Sequence, residues 1–311
     1  MSDSPAQRAA LLWSAARRAL RRLLAGGLDF LRRLYDKAGQ DNLFFLAGGI
    51  AFNVLIAAVP FLLLLIAILS TVLQRAVEDP EQVVVDYVIG ILPSSPEVVT
   101  FTRDRVTELI EGRTRFSIVG FLFFVWFSTR LIGSLRTALR DIFDLSEDRG
   151  IIKGKIFDAG MVVVAGSLFA ANTGITFVIE AVHTFGVRWL GLVESTQLLL
   201  LQAFYAQLLA FAFIFLMFVL MYRYLPARRT PWRVSLVAAT FSAFTWEMLK
   251  SAFAWYLADV ANYATTYRTL AALVALVLWI YYSAVVFILG GEVGQVYDLY
   301  RIRRRQKELL E

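Results

Sequence analysis

The stretch LFFLAGGIAFNVLIAAVPFLLLLIAILSTVL, residues 43–73, contains no Asp, Glu, Lys or Arg. A helix rises 1.5 Å per residue, so about 20 such residues cross a hydrocarbon core of ~30 Å. The stretch is continuously apolar and does not alternate as a barrel strand would, and lipid tolerates only helices and closed barrels. It therefore predicts a membrane-spanning helix, bent at Pro60 because proline lacks the backbone N–H.

Five more apolar blocks follow this one, and together they predict an all-α, polytopic integral membrane protein with a six-transmembrane-helix bundle. The predicted spans are residues 43–73, 116–138, 156–180, 196–225, 232–257 and 269–297. Composition agrees, because 59% of the 311 residues are hydrophobic and 18% are charged. Soluble domains are nearer 45–50% apolar and about 25% charged.

The segments outside the spans are short and mostly basic. They are a cytoplasmic basic amphipathic arm at 1–42, an amphipathic helical outer loop at 74–115 inside the membrane domain 43–297, and a basic cytoplasmic tail at 298–311. The 31 Lys and Arg residues, counted with the adjoining ends of the spans, divide 23 to 7 between the two sides, with Lys250 inside a span. This asymmetry predicts that both termini lie in the cytoplasm.

The arm predicts contact with a lipid surface. Arg17, Arg18, Arg21 and Arg22 fall on one face at helical spacing, as expected for a helix that docks on anionic lipid headgroups. The alternative is a topology signal with no further role. No nucleic-acid partner is expected, and a homo-oligomer or a second membrane protein stays open as a partner of the outer loop.

Enzyme signatures are scarce in this sequence. It has no Cys and a single His, His183, which excludes thiolate metal sites and leaves no material for a histidine cluster. It also lacks a phosphate loop, HExxH and GxSxG. We therefore expect no catalytic residue, no cofactor and no metal site.

One acidic run needs a separate interpretation. Its carboxylates could hold Mg²⁺ for phosphodiester cleavage, but flanking arginines favour an ion-paired, solvated helix end instead. The carboxylates are Asp141, Asp144, Glu147 and Asp148, and the flanking residues are Arg140 and Arg149.

Polar side chains inside the predicted spans are the strongest functional signal. Each costs a few kcal/mol in hydrocarbon, so such residues face the bundle interior or water. Glu247 and Lys250 are three residues apart, which places them on one helix face within pairing distance. Two interpretations stay open, a polar cavity or substrate path and a set of structural helix contacts. The set is Asn53, Arg130, Asn172, Gln207, Glu247 and Lys250, with Glu292 near the cytoplasmic end of the last span.

Small residues indicate close helix packing at one place. Gly290 and Gly294 have the four-residue spacing that lets membrane helices approach closely. Packing is the interpretation that this spacing favours.

Three longer stretches resemble a known family. They are LAGGIAFNVLIAAVPFLLLL at 46–65, YRYLPARRTPWRVSLVAATFSAFTWEMLKSAFAWY at 222–256 and LWIYYSAVVFILGGEV at 278–293. In these motifs the chain resembles the YihY/BrkB family of bacterial inner-membrane proteins, once labelled ribonuclease BN. The likeness extends over about residues 29–297 and implies a six-helix inner-membrane bundle with no assigned chemistry.

Three hypotheses about function follow. The first is transport or flipping of an amphiphilic or anionic, lipid-like substrate through the polar intramembrane set, an activity that has been suggested for the family. The second is a non-catalytic membrane scaffold or assembly factor. The third, a membrane ribonuclease acting through Asp141 and Asp144, has little support in the residues.

Overall fold

The computed structural model describes residues 25–73, 113–147, 149–190, 196–259 and 268–310, which form seven helices and no strand. The prediction of an all-helical chain is confirmed for these residues. In chain order the helices are α1 (25–40), α2 (Leu43–Leu73), α3 (Arg113–Ile142), α4 (Ile151–Leu190), α5 (Thr196–Tyr224), α6 (Trp232–Asp259) and α7 (Arg268–Leu310).

Four of these helices are long and apolar enough to cross a membrane, which makes the chain a polytopic membrane protein. Their apolar windows are Leu43–Leu62, Ile151–Ala171, Gln207–Tyr224 and Leu273–Gln306. The described parts of α3 and α6 contain no window as apolar as those of the other four helices. Both helices carry charged side chains.

Large apolar side chains lie on the outside of the molecule. Phe45 is 81% exposed and Trp126 is 69% exposed. A hydrocarbon environment solvates such a surface as readily as a protein interior does, because lipid tails are as apolar as leucine.

Small residues decide where the helices meet. A Cβ at Gly290 of α7 would overlap the Ser242 hydroxyl of α6 and lie 2.5 Å from the Tyr222 hydroxyl of α5. A Cβ at Gly294 would lie 3.1 Å from Ala238. The three helices therefore approach closely along this stripe, as small residues permit in membrane proteins. The buried core spans α2, α3, α5, α6 and α7, and includes Ala47, Leu139, Ile142, Tyr222, Val234 and Ile288.

Helix α1 packs against α7, on the side of the bundle where α7 continues beyond its apolar part. Leu34 lies in a small buried cluster with Val293 and Val296, and Phe30 stacks on Tyr300 with ring centroids 6.0 Å apart. The C-terminal half of the predicted arm is thus a helix joined to the bundle. The four clustered arginines at 17–22 and most of the outer loop, residues 74–112, lie outside the described residues.

The connection between α5 and α6 is held by arginines. Arg149 donates to the carbonyl oxygens of Tyr224 (2.9 Å) and Pro226 (2.8 Å). The first is an end group that α5 itself leaves unpaired, and the second belongs to the connection that follows. The guanidinium of Arg149 also lies 3.5 Å from the ring centroid of Phe157. Desolvation, with help from the nearby charge of Arg136, lowers the pKa of Arg149 below its usual value. Arg223 caps the same turn by donating to the Thr230 carbonyl at 2.5 Å.

Candidate functional site

A groove between α5 and α6 brings together two of the polar residues predicted from the sequence. It has a volume of about 570 Å³ and includes Gln207 from α5 and Glu247 from α6. Most of the other walls are apolar, and Phe211 and Phe244 pack with ring centroids 5.3 Å apart. We call this the α5–α6 groove. Its lining residues are Phe204, Gln207, Leu208, Phe211, Phe244, Glu247, Met248 and Ser251.

The groove also has an ion pair at its edge. Lys250 Nζ lies 2.8 Å from Glu247 Oε2, and the two side chains are 40% and 27% exposed. Glu247 is fifteen residues into α6, about 22 Å along the helix from Trp232. The lining of this apolar groove therefore contributes one carboxylate and one amide. The partly exposed ammonium of Lys250 is not part of the lining but pairs with that carboxylate.

A second space, of about 360 Å³, lies between five helices of the bundle and is partly open to the outside. We call it the central cavity. Side chains from α2, α3, α5, α6 and α7 form it, and nearly all of them are apolar. Trp246 borders it from α6 and packs edge-on against Trp279 of α7, with ring centroids 5.3 Å apart. This cavity suits hydrocarbon and offers almost nothing to a charged group.

The structure places the other predicted polar residues apart from the groove. Arg130 is exposed on α3 and does not line the groove. Asn53 is partly buried on α2, where its Nδ2 donates to the Gly49 carbonyl at 2.8 Å and its buried Oδ1 meets no donor among the described residues. Asn172 belongs to α4, but its side chain lies outside the described part of the chain. Of the five predicted residues whose side chains the structure describes, Gln207 and Glu247 line the groove, Lys250 pairs with Glu247, and Arg130 and Asn53 lie elsewhere.

The predicted structural residues have simple positions. Pro60 is buried inside α2, which continues from Leu43 to Leu73. Gly290 and Gly294 lie on the close-packed stripe of α7 described above.

A second polar group, which we call the inner acidic cluster, joins α1, α3 and α7. It consists of Lys37, Asp41, Asp144, Glu292 and Gln295. The ammonium of Lys37 lies 3.0 Å from Asp41 and 3.0 Å from Asp144, and Gln295 Nε2 donates to Asp144 at 3.2 Å. Glu292 is completely buried beside Asp41, and no donor in the described residues reaches either of its oxygens.

Lys37 neutralises only part of this cluster. Desolvation on its own lowers the pKa of Lys37, but hydrogen bonds to Asp41 and Asp144 outweigh it, and the pKa rises above the usual 10.5. The ammonium is therefore held in its charged form between two carboxylates. Three carboxyl groups share this one cation.

Sequence reasoning treated Asp144 as part of a solvated helix end and did not connect it with Lys37. The two residues are 107 positions apart, so periodicity along one helix offers no signal for the pair. Arg136 and Asp158 were missed as well, and they form an ion pair between α3 and α4 at 3.2 Å with Asp158 buried. Asp158 lies near the start of a predicted span, among apolar residues. A charge in that position needs a partner, so the sequence could have predicted an ion pair there.

The acidic run does not assemble as a metal site in the described structure. Asp141 pairs with Arg140 at 3.1 Å, and Asp144 pairs with Lys37. Among the described residues, no three Asp, Glu or His side chains converge closely enough for a metal ion.

The chain resembles curated membrane proteins of several bacteria. It is 26% identical to a UPF0761 membrane protein of Acinetobacter baylyi over 80% of this chain and 57% of that protein. It is 25% identical to one of Alkalilimnicola ehrlichii over 90% of this chain and 60% of that protein. A third, from Pseudoalteromonas atlantica, is 24% identical over 93% of this chain and 92% of that protein. The chain thus spans about three fifths of the first two relatives.

No solved structure matches the chain. The sequence profile of one family, described as Virulence factor BrkB, matches residues 34–309. That match contains all the residues of the α5–α6 groove and of the inner acidic cluster, and it covers most of the chain. This chain is therefore a membrane protein of the BrkB family.

Proposed function

We propose that the protein transports or flips an amphiphilic, anionic, lipid-like molecule, and that the α5–α6 groove is where the molecule binds. The observation that carries this proposal is the partly exposed Glu247–Lys250 pair at the edge of a groove whose walls are otherwise mostly apolar. An amphiphile has the same two parts, a polar headgroup and hydrocarbon chains. Pockets of 300–1,000 Å³ with a few convergent polar groups are typical of ligand sites.

The headgroup would meet Lys250 and Gln207. An ammonium has three N–H donors, and Glu247 engages only one side of this ammonium. The partly exposed Lys250 can therefore donate to a phosphate while it keeps its internal partner. Gln207 adds two amide donors from α5 across the groove.

The hydrocarbon chains would lie along the aromatic walls. Phe204, Phe211 and Phe244 line the groove, and burying each CH₂ of a chain contributes ~0.8 kcal/mol where water would otherwise reach it. The central cavity, bordered by Trp246 on the other side of α6, offers a second apolar space of a similar kind. Nothing in this mechanism needs a bond to break, so we propose a transporter and not an enzyme.

The proposal includes a topology. The chain crosses the bacterial inner membrane six times with both termini in the cytoplasm, and the basic arm at 1–42 contacts anionic headgroups on that side. Helix α6 then places Glu247 and Lys250 towards the outer half of the bilayer. The 23 to 7 division of Lys and Arg supports this orientation.

A translocation assay tests the proposal. The full chain is reconstituted in liposomes with headgroup-labelled phosphatidylglycerol, and a membrane-impermeant quencher reports the label in the outer leaflet. We expect faster translocation than in protein-free liposomes. Lys250→Ala should slow it about tenfold or more, since a hydrogen bond to a charged group is worth roughly 1.5–3 kcal/mol. Lys155→Ala, which removes an exposed cation on α4, should leave the rate unchanged.

A double variant separates binding from folding. Lys250→Ala alone leaves Glu247 unpaired, so its effect mixes two causes. In Glu247→Gln/Lys250→Met no charge is left unpaired, and the proposal still predicts slow translocation because the cation is gone. Full translocation by this double variant, or equal rates with and without wild-type protein, would refute the proposal. A protein that moves no lipid but purifies with a stable partner would fit the scaffold alternative.

A further inference from the structure

The most unusual side chain in the described residues is Glu292. It is 0% exposed, and no hydrogen-bond donor reaches either carboxyl oxygen. An ionised carboxylate in such a place costs many kcal/mol unless it is paired, and proteins commonly meet this situation by keeping the group protonated. Glu292 is not a surface residue. It lies in the close-packed part of α7, between Gly291 and Gly294.

Its neighbours make the ionised form still less favourable. The groups that face Glu292 are Asp41 from the α1–α2 turn, Lys37 from α1 and Asp144 from the end of α3. Two residues further along α7, a Cβ at Gly294 would meet Ala238 and Val234 of α6, which are both apolar. Lys37 is already engaged by both aspartates, so Glu292 faces one carboxylate directly and has no cation of its own.

The cluster leads from the surface to the buried carboxyl. The Asp144 side chain is 64% exposed, while Asp41 and Lys37 are each 12% exposed and Glu292 is fully buried. Hydrogen bonds join Asp144 to Lys37 and Lys37 to Asp41, and the carboxyl of Glu292 faces that of Asp41. Polar side chains therefore extend from an exposed aspartate to the buried carboxyl.

The backbone has an unusual conformation at two residues near the outer end of this line of side chains. Asn42, next to Asp41, and Asp144 itself both have φ of 50°, a left-handed conformation that is uncommon outside glycine. Gln295, one turn after Glu292 on α7, donates to Asp144. Residues from three separate parts of the chain, at α1, α3 and α7, therefore form this cluster.

We infer that Glu292, with Asp41 beside it, is a proton-binding site that opens to the inner aqueous phase through Asp144 and Lys37. This inference rests on the proposed transport function, to which the site would couple the movement of a proton. The ligand is a proton and not a divalent metal, because no three carboxylates converge on one point in the described residues. The transported lipid binds elsewhere, in the α5–α6 groove.

Infrared difference spectroscopy tests the site without any transport. The full chain is placed in phosphatidylcholine nanodiscs, and the carbonyl stretch of a protonated carboxyl is followed as pH is varied. We expect this band to be present in the wild type at pH 7 and absent in Glu292→Gln. Glu308→Gln, the same substitution at an exposed position of α7, should retain it.

A second variant keeps the test decisive if Glu292→Gln does not fold. Asp41→Asn removes the facing negative charge, so the band should vanish at a pH about one unit lower than in the wild type. A wild type without the band at pH 7, or an Asp41→Asn midpoint that does not move, overturns the inference. So does a wild-type band that shrinks when Na⁺ is added at constant pH, which would indicate a cation site. Failure of lipid translocation leaves all these outcomes unaffected, so the two proposals fail separately.

Discussion

Gly290 is the residue at which three helices come closest. Its missing side chain leaves room for the Ser242 hydroxyl, and the Tyr222 hydroxyl lies 2.7 Å from Ser242 and 2.6 Å from the Phe287 carbonyl, to which it donates. We predict that Gly290→Ala destabilises the protein by about 1–3 kcal/mol, because a methyl group forces these buried groups apart. Thermal unfolding of the detergent-purified protein measures this.

Gly160→Ala on α4 is the matched control. Nothing lies within 4 Å of a Cβ placed there, so alanine should be neutral or stabilising by up to ~1 kcal/mol through its helix propensity. Equal melting temperatures for the two variants would show that α7 is not closely packed at Gly290.

Lys37 is the residue that joins α1 to the end of α3. We predict that Lys37→Met lowers stability at neutral pH by about 1–3 kcal/mol, because both Asp41 and Asp144 lose a charged donor. Lys153→Met, at an exposed position, should have little effect. Unfolding in detergent at a series of pH values measures both.

The sign of the pH dependence follows from the raised pKa of Lys37. Its folded pKa lies above the ordinary 10.5, so the stabilisation is complete below about 10.5 and is lost as pH rises through the folded value. The wild type and Lys37→Met should therefore differ by a constant amount from roughly pH 6 to 9 and converge only at more alkaline pH. Convergence near neutrality would contradict this.

Some side-chain pairs could be predicted from the sequence and others could not. Glu247 and Lys250 are three residues apart on one helix, and the ion pair expected from that spacing is present. The contacts of Asp144 with Lys37 and Gln295 join segments 107 and 151 residues apart. No periodicity encodes such distances, because they depend on how the helices pack.

At the scale of elements, hydropathy predicts the positions of the long helices more accurately than the residues at which they end. Helix α2 has the predicted bounds, since apolar residues fill it from end to end. Helix α7 continues thirteen residues beyond the predicted end of its span, to Leu310, because charged residues end a membrane span without ending a helix. Helix α1 was not predicted as a packed element, since its apolar residues are few and their partners lie on α7.

The connection between α5 and α6 is stabilised by the side chain of Arg149. We predict that Arg149→Gln speeds amide hydrogen exchange at residues 225–230 about tenfold or more, because two carbonyl contacts from a charged donor are lost. Arg228→Gln, which removes an exposed arginine of the same connection, should leave exchange unchanged. Equal exchange in the two variants would mean that the turn is held by other contacts.

The whole molecule is a bundle in which α2, α3, α5, α6 and α7 share one core. The apolar blocks of the sequence predict a helix bundle. They do not predict where grooves and cavities lie between the helices. The α5–α6 groove depends on Phe211 and Phe244 meeting while Gln207 and Glu247 stay accessible. Arg130, equally prominent in the sequence, lies on α3 outside the groove, because which face of a helix meets its neighbour is decided by packing.

The orientation of the whole chain can be tested with introduced thiols, because the natural sequence has no Cys. We predict that a membrane-impermeant maleimide added to intact spheroplasts labels Ser94→Cys in the predicted outer loop. Ser146→Cys, between α3 and α4, and Gln306→Cys, near the end of α7, should react only after the membrane is permeabilised. Labelling of either inner position in sealed cells would contradict six spans with cytoplasmic termini.

The central claim is that an anionic amphiphile binds in the α5–α6 groove. Photocrosslinking measures this most directly, with a photoactivatable phosphatidylglycerol in nanodiscs and mass spectrometry of the adducts. We predict adducts concentrated at residues 204–211 and 244–251, and reduced by Lys250→Ala but not by Lys155→Ala. Adducts spread evenly over other exposed apolar faces, such as that of Phe44 and Phe45, and unchanged by Lys250→Ala, would contradict the account.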